Sequence, residues 1–237
     1  MRLVIADIDW THKTHTLSAE TIHYCINVHR TPIGSTVLVS DGAGRQAHFE
    51  LSSRDGRWCV DRVSDIATSS NIAPITIFFG LPKGDKLDRV VRQLSELGIE
   101  KLILVRMERN VVVLEGPRLN KRIERLRRIA TEAARQSGRS SILEIVAPVD
   151  FSEALRFASA LDHALFCHPT AEHSMPAMET EQRCGIFVGP EGGFSPAECQ
   201  QLIDGGIQGV ILGQTVLRTE TAAIVAATTA LARLHYL

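Results

Sequence analysis

The sequence predicts an α/β protein in which a mostly parallel sheet is preceded by a small β-rich domain. Three observations lead to this prediction: short β-rich runs in the first 70 residues, alternating strand and helix patterns from Ile75 onward, and two consecutive strand–loop–helix units near the C-terminus. Strands that alternate with helices are typical of a parallel sheet covered by helices. We therefore expect two domains, residues 1–71 and 72–237.

The N-terminal domain is predicted from β-rich runs that lie between turn signals. Strands are expected at Thr36–Val39, Gln46–Leu51 and Arg57–Val63. Glycine-containing turns at 41–44 and 54–56 separate them, a pattern typical of a small β-barrel or sandwich. The polar segment 67–71, which precedes Pro74, predicts a linker to the second domain.

The C-terminal domain is predicted from apolar runs that are separated by helical patterns. Strands are expected at Ile75–Phe79, Lys101–Val105, Ala164–Cys167, Gly185–Val188 and Gly209–Leu212. Apolar residues at helical spacing predict a helix that Gly98 ends and a basic helix with apolar positions 119, 123, 126, 129 and 133. An Ala-rich helix from Thr219 to about His235 has almost no polar face, so we expect it to be buried on all sides, partly by a second subunit.

The segment Val188–Glu198 is the most informative piece of the chain. It leads from a buried strand through a loop with three glycines and one carboxylate to a helix N-terminus. Ser195, Pro196 and Glu198 form the pattern of a capping box with proline at the first helical position. Because glycine has no side chain, backbone can approach a ligand here, and Gly192→Val is expected to block binding. A tight strand-to-helix connection without a ligand is the alternative.

A second segment, Gly209–Ala222, repeats this arrangement. Its strand is expected to end at Gly213, a short apolar loop follows, and Thr219 is expected to cap the last helix. In open α/β sheets, ligands bind at the carboxyl ends of the strands. The two loops together therefore predict one binding site.

Composition argues against several classes of protein. No run of the sequence is long and apolar enough to span a membrane, and the N-terminus lacks the pattern of a signal peptide. The five cysteines are scattered without a CxxC pair, which indicates free thiols in the cytoplasm. His163, His168 and His173 lie five residues apart and cannot share one helix face, so no metal site is expected.

Charge is distributed unevenly along the chain. The formal net charge is −1, but residues 106–139 contain ten Lys or Arg against four Glu, a local balance of +6. A local basic surface can contact phosphates whatever the charge of the whole chain. Lys121, Arg125, Arg128 and Glu132 share one face of the basic helix, for which an ordinary solvated face is the alternative.

Two common nucleotide-binding motifs do not match this sequence. Gly80–Lys86 departs from the P-loop pattern, because Gly84 comes one position early and Lys86 is not followed by serine or threonine. No G-x-G-x-x-G follows a predicted strand. Neither a dinucleotide-binding enzyme nor a Rossmann-type methyltransferase is therefore indicated.

Several segments, taken together, resemble one family. They are Gly80–Lys86, Glu96–Gly98, Glu108–Arg109, Glu132–Arg139, Gly189–Gly193 and Leu217–Ala222. Through them nearly the whole chain resembles the SPOUT class of S-adenosylmethionine-dependent RNA methyltransferases. It resembles more closely the family that methylates uridine N3 in 16S ribosomal RNA of the small subunit. Asn110 and Leu143 depart from that family, which usually has serine and proline at these positions.

The resemblance implies a fold and an assembly that no spacing reveals. It implies a PUA-like β-barrel for RNA docking in residues 1–71 and an α/β trefoil knot in residues 72–237. General fold rules predict the opposite, an unknotted sheet. The resemblance also implies a homodimer with its active site near the interface, and 16S ribosomal RNA or the assembled small subunit as partner.

The resemblance further implies which residues form the site. S-adenosylmethionine is the expected cofactor, and its expected contacts are Cys167, His168, Gly189, Pro190, Glu191, Gly192, Leu212, Gly213, Val216, Leu217, Thr219 and Ala222. Arg218, Arg139 and Glu191 are the expected catalytic residues. A cation would stabilise charge displaced onto the uracil oxygens, and a carboxylate would orient cofactor or substrate. RNA contacts are expected at Arg30, Lys83, Lys86, Arg109, Arg135 and Arg139.

Three points stay open at the level of sequence. Arg218 is either an electrostatic stabiliser aimed at the uracil or a structural partner for Glu191 or Glu220. Neither the general base nor the position of the modified uridine is assigned. The alternative function is that of a non-catalytic RNA-binding or ribosome-assembly protein with the same fold. The presence of Glu191, Arg218 and Glu220 argues against this alternative.

Overall fold

A computed structural model of the protein describes residues 1–68, 72–110 and 115–237. The chain divides into two compact units, the first made of residues 1–71 and 134–142 and the second of 72–133 and 143–237. The expected division, between residues 71 and 72, placed residues 134–142 in the second domain, whereas the structure groups them with the first unit. Most of the predicted linker, 69–71, lies outside the described residues, but Ala67–Thr68 form a short strand instead of a linker.

The first unit is built on a six-stranded sheet. Its strands are β1 (Arg2–Val4), β2 (Thr14–Thr16), β3 (Thr36–Ser40), β4 (Arg45–Arg54), β5 (Arg57–Arg62) and β6 (Ala67–Thr68). Their order is β1-β3-β4-β5-β2 with β6 beside β4, and each of these pairs is antiparallel except β1 with β3. The three predicted strands are confirmed as β3, β4 and β5. A short helix, α1 (Ala19–His23), continues into a π-helix, Tyr24–Val28.

Residues 134–142 belong to the first unit because their polar groups bond to it. The Arg135 guanidinium carbon lies 4.8 Å from the centre of the Tyr24 ring, and Arg135 donates to the Val4 carbonyl at 3.4 Å. The Ile142 N–H donates to the Gly42 carbonyl at 2.9 Å. Local sequence patterns could not show this, because Val4 and Arg135 are 131 positions apart.

The second unit is built on a six-stranded parallel sheet with the order β12-β10-β11-β7-β8-β9. Its strands are β7 (Ala73–Gly80), β8 (Ile99–Arg106), β9 (Glu144–Asp150), β10 (His163–Cys167), β11 (Cys184–Val188) and β12 (Gln208–Val210). Its helices are α2 (Lys86–Leu97), α3 (Gly116–Ser137, whose last turn lies in the first unit), α4 (Phe151–Ala158), α5 (Pro196–Asp204) and α6 (Thr219–Arg233). The five predicted strands and the helix that Gly98 ends in a left-handed conformation are confirmed.

Two boundaries near the C-terminus differ from the prediction. Strand β12 ends at Val210 instead of Gly213, because the Ile211 N–H leaves the sheet edge and donates to the His173 carbonyl at 2.8 Å. Arg218, not Thr219, occupies the N-cap position of α6. Thr219 is the first helical residue, and its hydroxyl donates to the Gly189 carbonyl at 2.5 Å, since the loop after β11 places this carbonyl beside the start of α6.

The centre of the parallel sheet is apolar on both faces. Strand β11 is buried along its whole length, and so is most of β7, as expected for central strands covered by helices. The Phe78 and Phe187 rings stack with their centres 4.3 Å apart. A Cβ at Gly185 would lie 2.5 Å from Leu161 and 2.9 Å from Phe78, so only glycine fits between these side chains.

The last helix is buried on only part of its circumference in a single chain. Ala223, Ala226, Ala227 and Ala230 are buried, but Ile224 and Val225 are only half-buried. The sequence assigns the remaining cover to a second subunit, so burial on all sides stays a prediction. Across residues 1–68, 72–110 and 115–237, no helix has both the length and the apolar character needed to cross a membrane.

Candidate active site at the carboxyl edge of the parallel sheet

The carboxyl ends of β10, β11 and β12 open onto one cavity of about 610 Å³. Its walls are the three loops that follow these strands and the first turn of α6. This edge is where open α/β sheets bind ligands, and the volume lies within the range of small-molecule sites. The two strand–loop–helix units recognised in the sequence thus contribute to one cavity.

The cavity brings together most of the predicted site residues. All twelve predicted cofactor contacts line it, and so do Arg218, Lys86 and Arg109. Six lining residues escaped the prediction: Pro169, Val188, Gly193, Phe194, Ile211 and Thr215. Their position beside the predicted residues, in the same three loops, is the signal that could have found them.

A capping box shapes the loop after β11, as the sequence predicts. The Ser195 hydroxyl accepts from the Glu198 N–H at 3.2 Å, and Glu198 Oε2 accepts from the Ser195 N–H at 2.8 Å. The second oxygen, Glu198 Oε1, accepts from the Glu108 N–H at 2.8 Å. One buried carboxylate therefore anchors this loop both to the start of α5 and to the segment after β8.

Gly80 lets the loop after β11 lie against the end of β7. A Cβ at Gly80 would lie 2.6 Å from Pro190 Cδ and 2.7 Å from the Pro190 backbone nitrogen. No real contact is that short, so a side chain at this position would displace the loop backbone. The Thr219 hydrogen bond to Gly189 then ties the same loop to α6.

We expect Gly80→Ala to lower the free energy of unfolding by about 1–3 kcal/mol, the usual cost of an added methyl group in a packed site. The cavity wall should shift as well, because the added methyl group would overlap the Pro190 backbone nitrogen. Thermal denaturation checks the stability, with Gly213→Ala as the control, because a Cβ there meets no described atom within 4 Å. An unchanged melting temperature in Gly80→Ala would contradict this packing.

Arg109 supports the glycine loop from its other side. Its Nη1 donates to the Gly192 carbonyl at 3.0 Å. A Cβ at Gly192 would lie 3.1 Å from Arg109 Cβ, so a bulky residue at Gly192 would disturb Arg109 as well as the cavity. The predicted RNA contact Arg109 is therefore also part of the wall.

Lys86 and two carboxylates form a charged corner of the cavity. Lys86 Nζ lies 2.8 Å from Glu191 Oε1 and 3.8 Å from Glu220 Oε2. The Lys83 N–H also donates to Glu191 Oε1, at 3.1 Å. Partial burial raises the pKa of Glu191, but the hydrogen bonds from Lys86 and backbone N–H groups outweigh it and hold that pKa below its ordinary value. The hydrogen bond to Glu191 raises the pKa of Lys86.

Arg218 is an exposed cation in the same cavity wall. Its guanidinium makes no hydrogen bond or ion pair with any residue that the structure describes. The structural alternative, in which Arg218 pairs with Glu191 or Glu220, is thus not what the structure shows. Lys86 occupies that place.

The cysteines near the cavity do not offer a reactive thiolate. Burial raises the pKa of both Cys167 and Cys184 to about 12. Cys167 therefore contributes a neutral, weakly polar surface to the wall. Within the described ranges, no group of three or more His, Cys, Asp or Glu side chains is arranged to hold a metal ion.

Four predicted residues do not line the cavity. Three of them lie in the first unit: Arg30, Arg135 and Arg139. Arg30 is exposed and has a left-handed φ of 52°. Arg139 is half-buried, burial lowers its pKa, and it donates to the Ser141 hydroxyl at 3.2 Å. Lys83 is exposed on the loop between β7 and α2.

The departure at Asn110 has a structural explanation. Its Oδ1 accepts from the Leu81 N–H at 3.1 Å, and its Nδ2 donates to the Val105 carbonyl at 3.0 Å. One side chain thus joins the ends of two neighbouring strands, β7 and β8. The second departure, Leu143, is a buried apolar residue.

Comparison with known proteins decides the family. The sequence profile described as an RNA methyltransferase domain matches residues 68–231, more than two thirds of the chain. The chain belongs to the RNA methyltransferase family. Within this family its relatives carry the name ribosomal RNA small subunit methyltransferase E. One from Synechocystis is 30% identical over 95% of this chain and 75% of its own length, and one from Bacillus subtilis is 29% identical over 90% and 88%.

Two solved structures with bound S-adenosylmethionine share the fold of this chain. Ribosomal RNA small subunit methyltransferase E from Neisseria gonorrhoeae, solved bound to S-adenosylmethionine, superposes with a TM-score of 0.87 at 25% identity over 98% of this chain and 97% of its own. A methyltransferase from Legionella pneumophila, in complex with the same cofactor, has a TM-score of 0.84 at 24% identity, with coverages of 98% and 96%. The second likeness shows the fold alone. The α/β methyltransferase fold predicted from the sequence is thereby confirmed.

Proposed function

We propose that this chain is an S-adenosylmethionine-dependent methyltransferase that modifies N3 of one uridine in 16S ribosomal RNA of the small subunit. The cavity carries the proposal, because one site unites the twelve predicted cofactor contacts with Arg218, whose guanidinium has no partner among the residues that the structure describes. Relatives named for small-subunit ribosomal RNA methylation match over most of the chain, and the structural relative from Neisseria gonorrhoeae binds this cofactor.

The cavity suits S-adenosylmethionine in size and chemistry. Its volume of about 610 Å³ and its largely apolar, glycine-rich wall fit an adenosine-containing ligand. Gly189, Gly192 and Gly213 leave backbone groups open to a ligand. Glu191 supplies a carboxylate at one corner that can orient a cationic ligand. When bound, S-adenosylmethionine supplies an electrophilic methyl group on its sulfonium.

The protein's own contribution to the reaction is orientation and charge. Loss of the N3 proton, which must accompany methyl transfer, places negative charge on the neighbouring carbonyl oxygens until the new N–C bond forms. Arg218 lies at the cavity with its guanidinium free of described partners, so it can donate to such an oxygen. Arg139, the other expected catalytic cation, lies in the first unit, where it donates to the Ser141 hydroxyl.

The basic helix α3 supports an RNA substrate. Arg122 and Arg125 are engaged with Asp88 of α2, at 2.9 Å and 2.6 Å. Four other cations of the helix are exposed, namely Arg118, Lys121, Arg127 and Arg128. We propose that they contact phosphates together with Arg30, Lys83, Arg109 and Arg135, and that the first unit is a PUA-like RNA-docking barrel.

We propose that the protein works as a homodimer in the cytoplasm and that its second unit has a trefoil knot of the SPOUT class. The half-buried Ile224 and Val225 on α6 support the dimer, since they leave apolar surface for a second copy. The bond of Thr219 to Gly189 and the packing of α6 against β7 and β11 are compatible with a C-terminal helix threaded beneath a loop. A ribosomal RNA substrate supports a cytoplasmic location of the protein.

The decisive experiment for the substrate is mass mapping of 16S ribosomal RNA from a strain that lacks this gene. We expect one 3-methyluridine to disappear and to return when the wild-type gene is restored. A gene that encodes the Arg218→Ala variant should restore the 3-methyluridine poorly. This control shows that the modification depends on catalysis and not only on the presence of the protein. Persistence of every 3-methyluridine in the deletion strain would contradict the proposed substrate and favour the non-catalytic alternative.

A further inference from the structure

Lys86 lies at a helix position that is unfavourable for a cation, so its presence there calls for a specific interaction. It is the first residue of α2, where the partial positive charge of a helix N-terminus disfavours a cation. Among the described residues, its ion-pair partners are Glu191, in the loop after β11, and Glu220 of α6. The lysine therefore joins three segments that border the cavity.

Glu220 has an unusual environment for a carboxylate. It lies in the first turn of α6, and its side chain is 17% exposed. Its Oε2 is buried and accepts no hydrogen bond from any described residue, and the nearest cation, Lys86 Nζ, is 3.8 Å away. A buried carboxylate oxygen without a donor attracts any mobile cation within reach.

Arg218 is the other cation near this carboxylate. It is the N-cap residue of α6, two positions before Glu220, and it lines the same cavity as Glu191. It is close enough to Lys86 for the two charges to repel each other. An arginine side chain at this place could pair with either carboxylate if Lys86 did not.

We infer that Lys86 is a positioning residue that holds Glu191 and Glu220 and thereby keeps the Arg218 guanidinium free for the substrate. This inference rests on the proposed function and deepens it. It also replaces the expectation that Lys86 contacts RNA, because the ammonium is engaged with two carboxylates inside the cavity wall. Without the lysine, Glu191 would still accept from the Lys83 N–H, but Glu220 Oε2 would have no cation near it. Arg218 would then turn toward Glu220 and away from the uracil oxygens.

The test is Lys86→Met, which keeps the length of the side chain and removes its charge. We expect kcat for methyl transfer to small ribosomal subunits to fall about tenfold, part of the effect of losing an oxyanion donor, with KM for the subunit unchanged. Adding Glu220→Gln to Lys86→Met should recover much of the lost kcat, because the carboxylate that captures Arg218 is then neutral. Such non-additivity is the mark of coupled residues.

Lys101→Met is the matched control. Lys101 pairs with Glu144 at 3.1 Å and is 31% exposed, against 29% for Lys86. It lies near the start of β8, at the sheet edge opposite the cavity. Its loss should leave kcat within about twofold of wild type, as for most surface ion pairs. A crystal structure of Lys86→Met should show the Arg218 guanidinium within salt-bridge distance of Glu220.

Three results would overturn the inference. The first is a wild-type kcat in Lys86→Met. The second is a salt-dependent rise in KM for the small subunit with kcat unchanged. That is the result expected when an RNA contact is lost, as in Lys83→Met. The third is a loss of kcat that Glu220→Gln does not relieve. Should Lys86→Met fail to fold in thermal melting, Lys86→Gln decides by the same measurements. If the wild-type protein itself binds no cofactor and transfers no methyl group, the proposed function fails instead.

Discussion

Replacing Gly213 with valine is expected to abolish S-adenosylmethionine binding while the protein stays folded. A Cβ at Gly213 would meet no described atom within 4 Å, and the backbone there is not in the left-handed region. The valine side chain can therefore extend into the cavity that Gly213 lines without straining its neighbours. We expect affinity to fall about a hundredfold or more, which corresponds to about 2.7 kcal/mol.

Isothermal calorimetry measures this loss, and thermal melting shows that the fold is kept. Gly213→Ala is the graded control, because its single methyl group should weaken binding less and leave the melting temperature unchanged. Gly192→Val is a poorer test, since a side chain there would collide with Arg109. Normal binding by Gly213→Val would place the cofactor outside this cavity.

Arg218→Ala is expected to lower kcat by about a hundredfold or more, by analogy with the loss of an oxyanion donor. The guanidinium has no described partner in the protein, so its removal should leave cofactor affinity and melting temperature nearly unchanged. Arg218→Lys should recover only part of the rate, because an ammonium does not reproduce the planar fork of donors.

Single-turnover methyl transfer to small subunits from the deletion strain measures the rate. Arg233→Ala is the matched control, because this arginine is exposed at the opposite end of the same helix. Its rate should equal that of the wild type. Parallel losses of cofactor affinity and thermal stability in Arg218→Ala would assign a structural role to the arginine instead.

The elements of the second unit were largely predictable because their signals are local. The apolar run of β11 and the capping box at Ser195 are confirmed as a central strand and a helix start. Gly98 ends α2 in the left-handed conformation that glycine adopts without steric cost. Strand β12 was predicted too long, because an apolar run does not reveal where a neighbouring carbonyl, that of His173, draws the chain away.

The grouping of the site residues was also predictable, but their partners were not. Parallel strands bring their carboxyl ends to one edge, so the loops after Val188 and β12 could be placed at one edge from the sequence. The loop after Cys167 was added to them by the family resemblance. Pairing within the cavity depends on side chains that approach from distant segments. Lys86, expected to contact RNA, is paired with Glu191, 105 residues away.

The sequence by itself determined the central strands, the end of α2, the start of α5 and the edge of the sheet that forms the site, because each follows from steric preferences and apolar periodicity within about a dozen residues. Only the tertiary structure decided that residues 134–142 join the first unit, that Thr219 bonds to Gly189 and that the Arg218 guanidinium has no partner among the described residues. These depend on which polar groups meet once the chain is packed. Most buried donors and acceptors then take a partner within reach, whatever its distance along the chain.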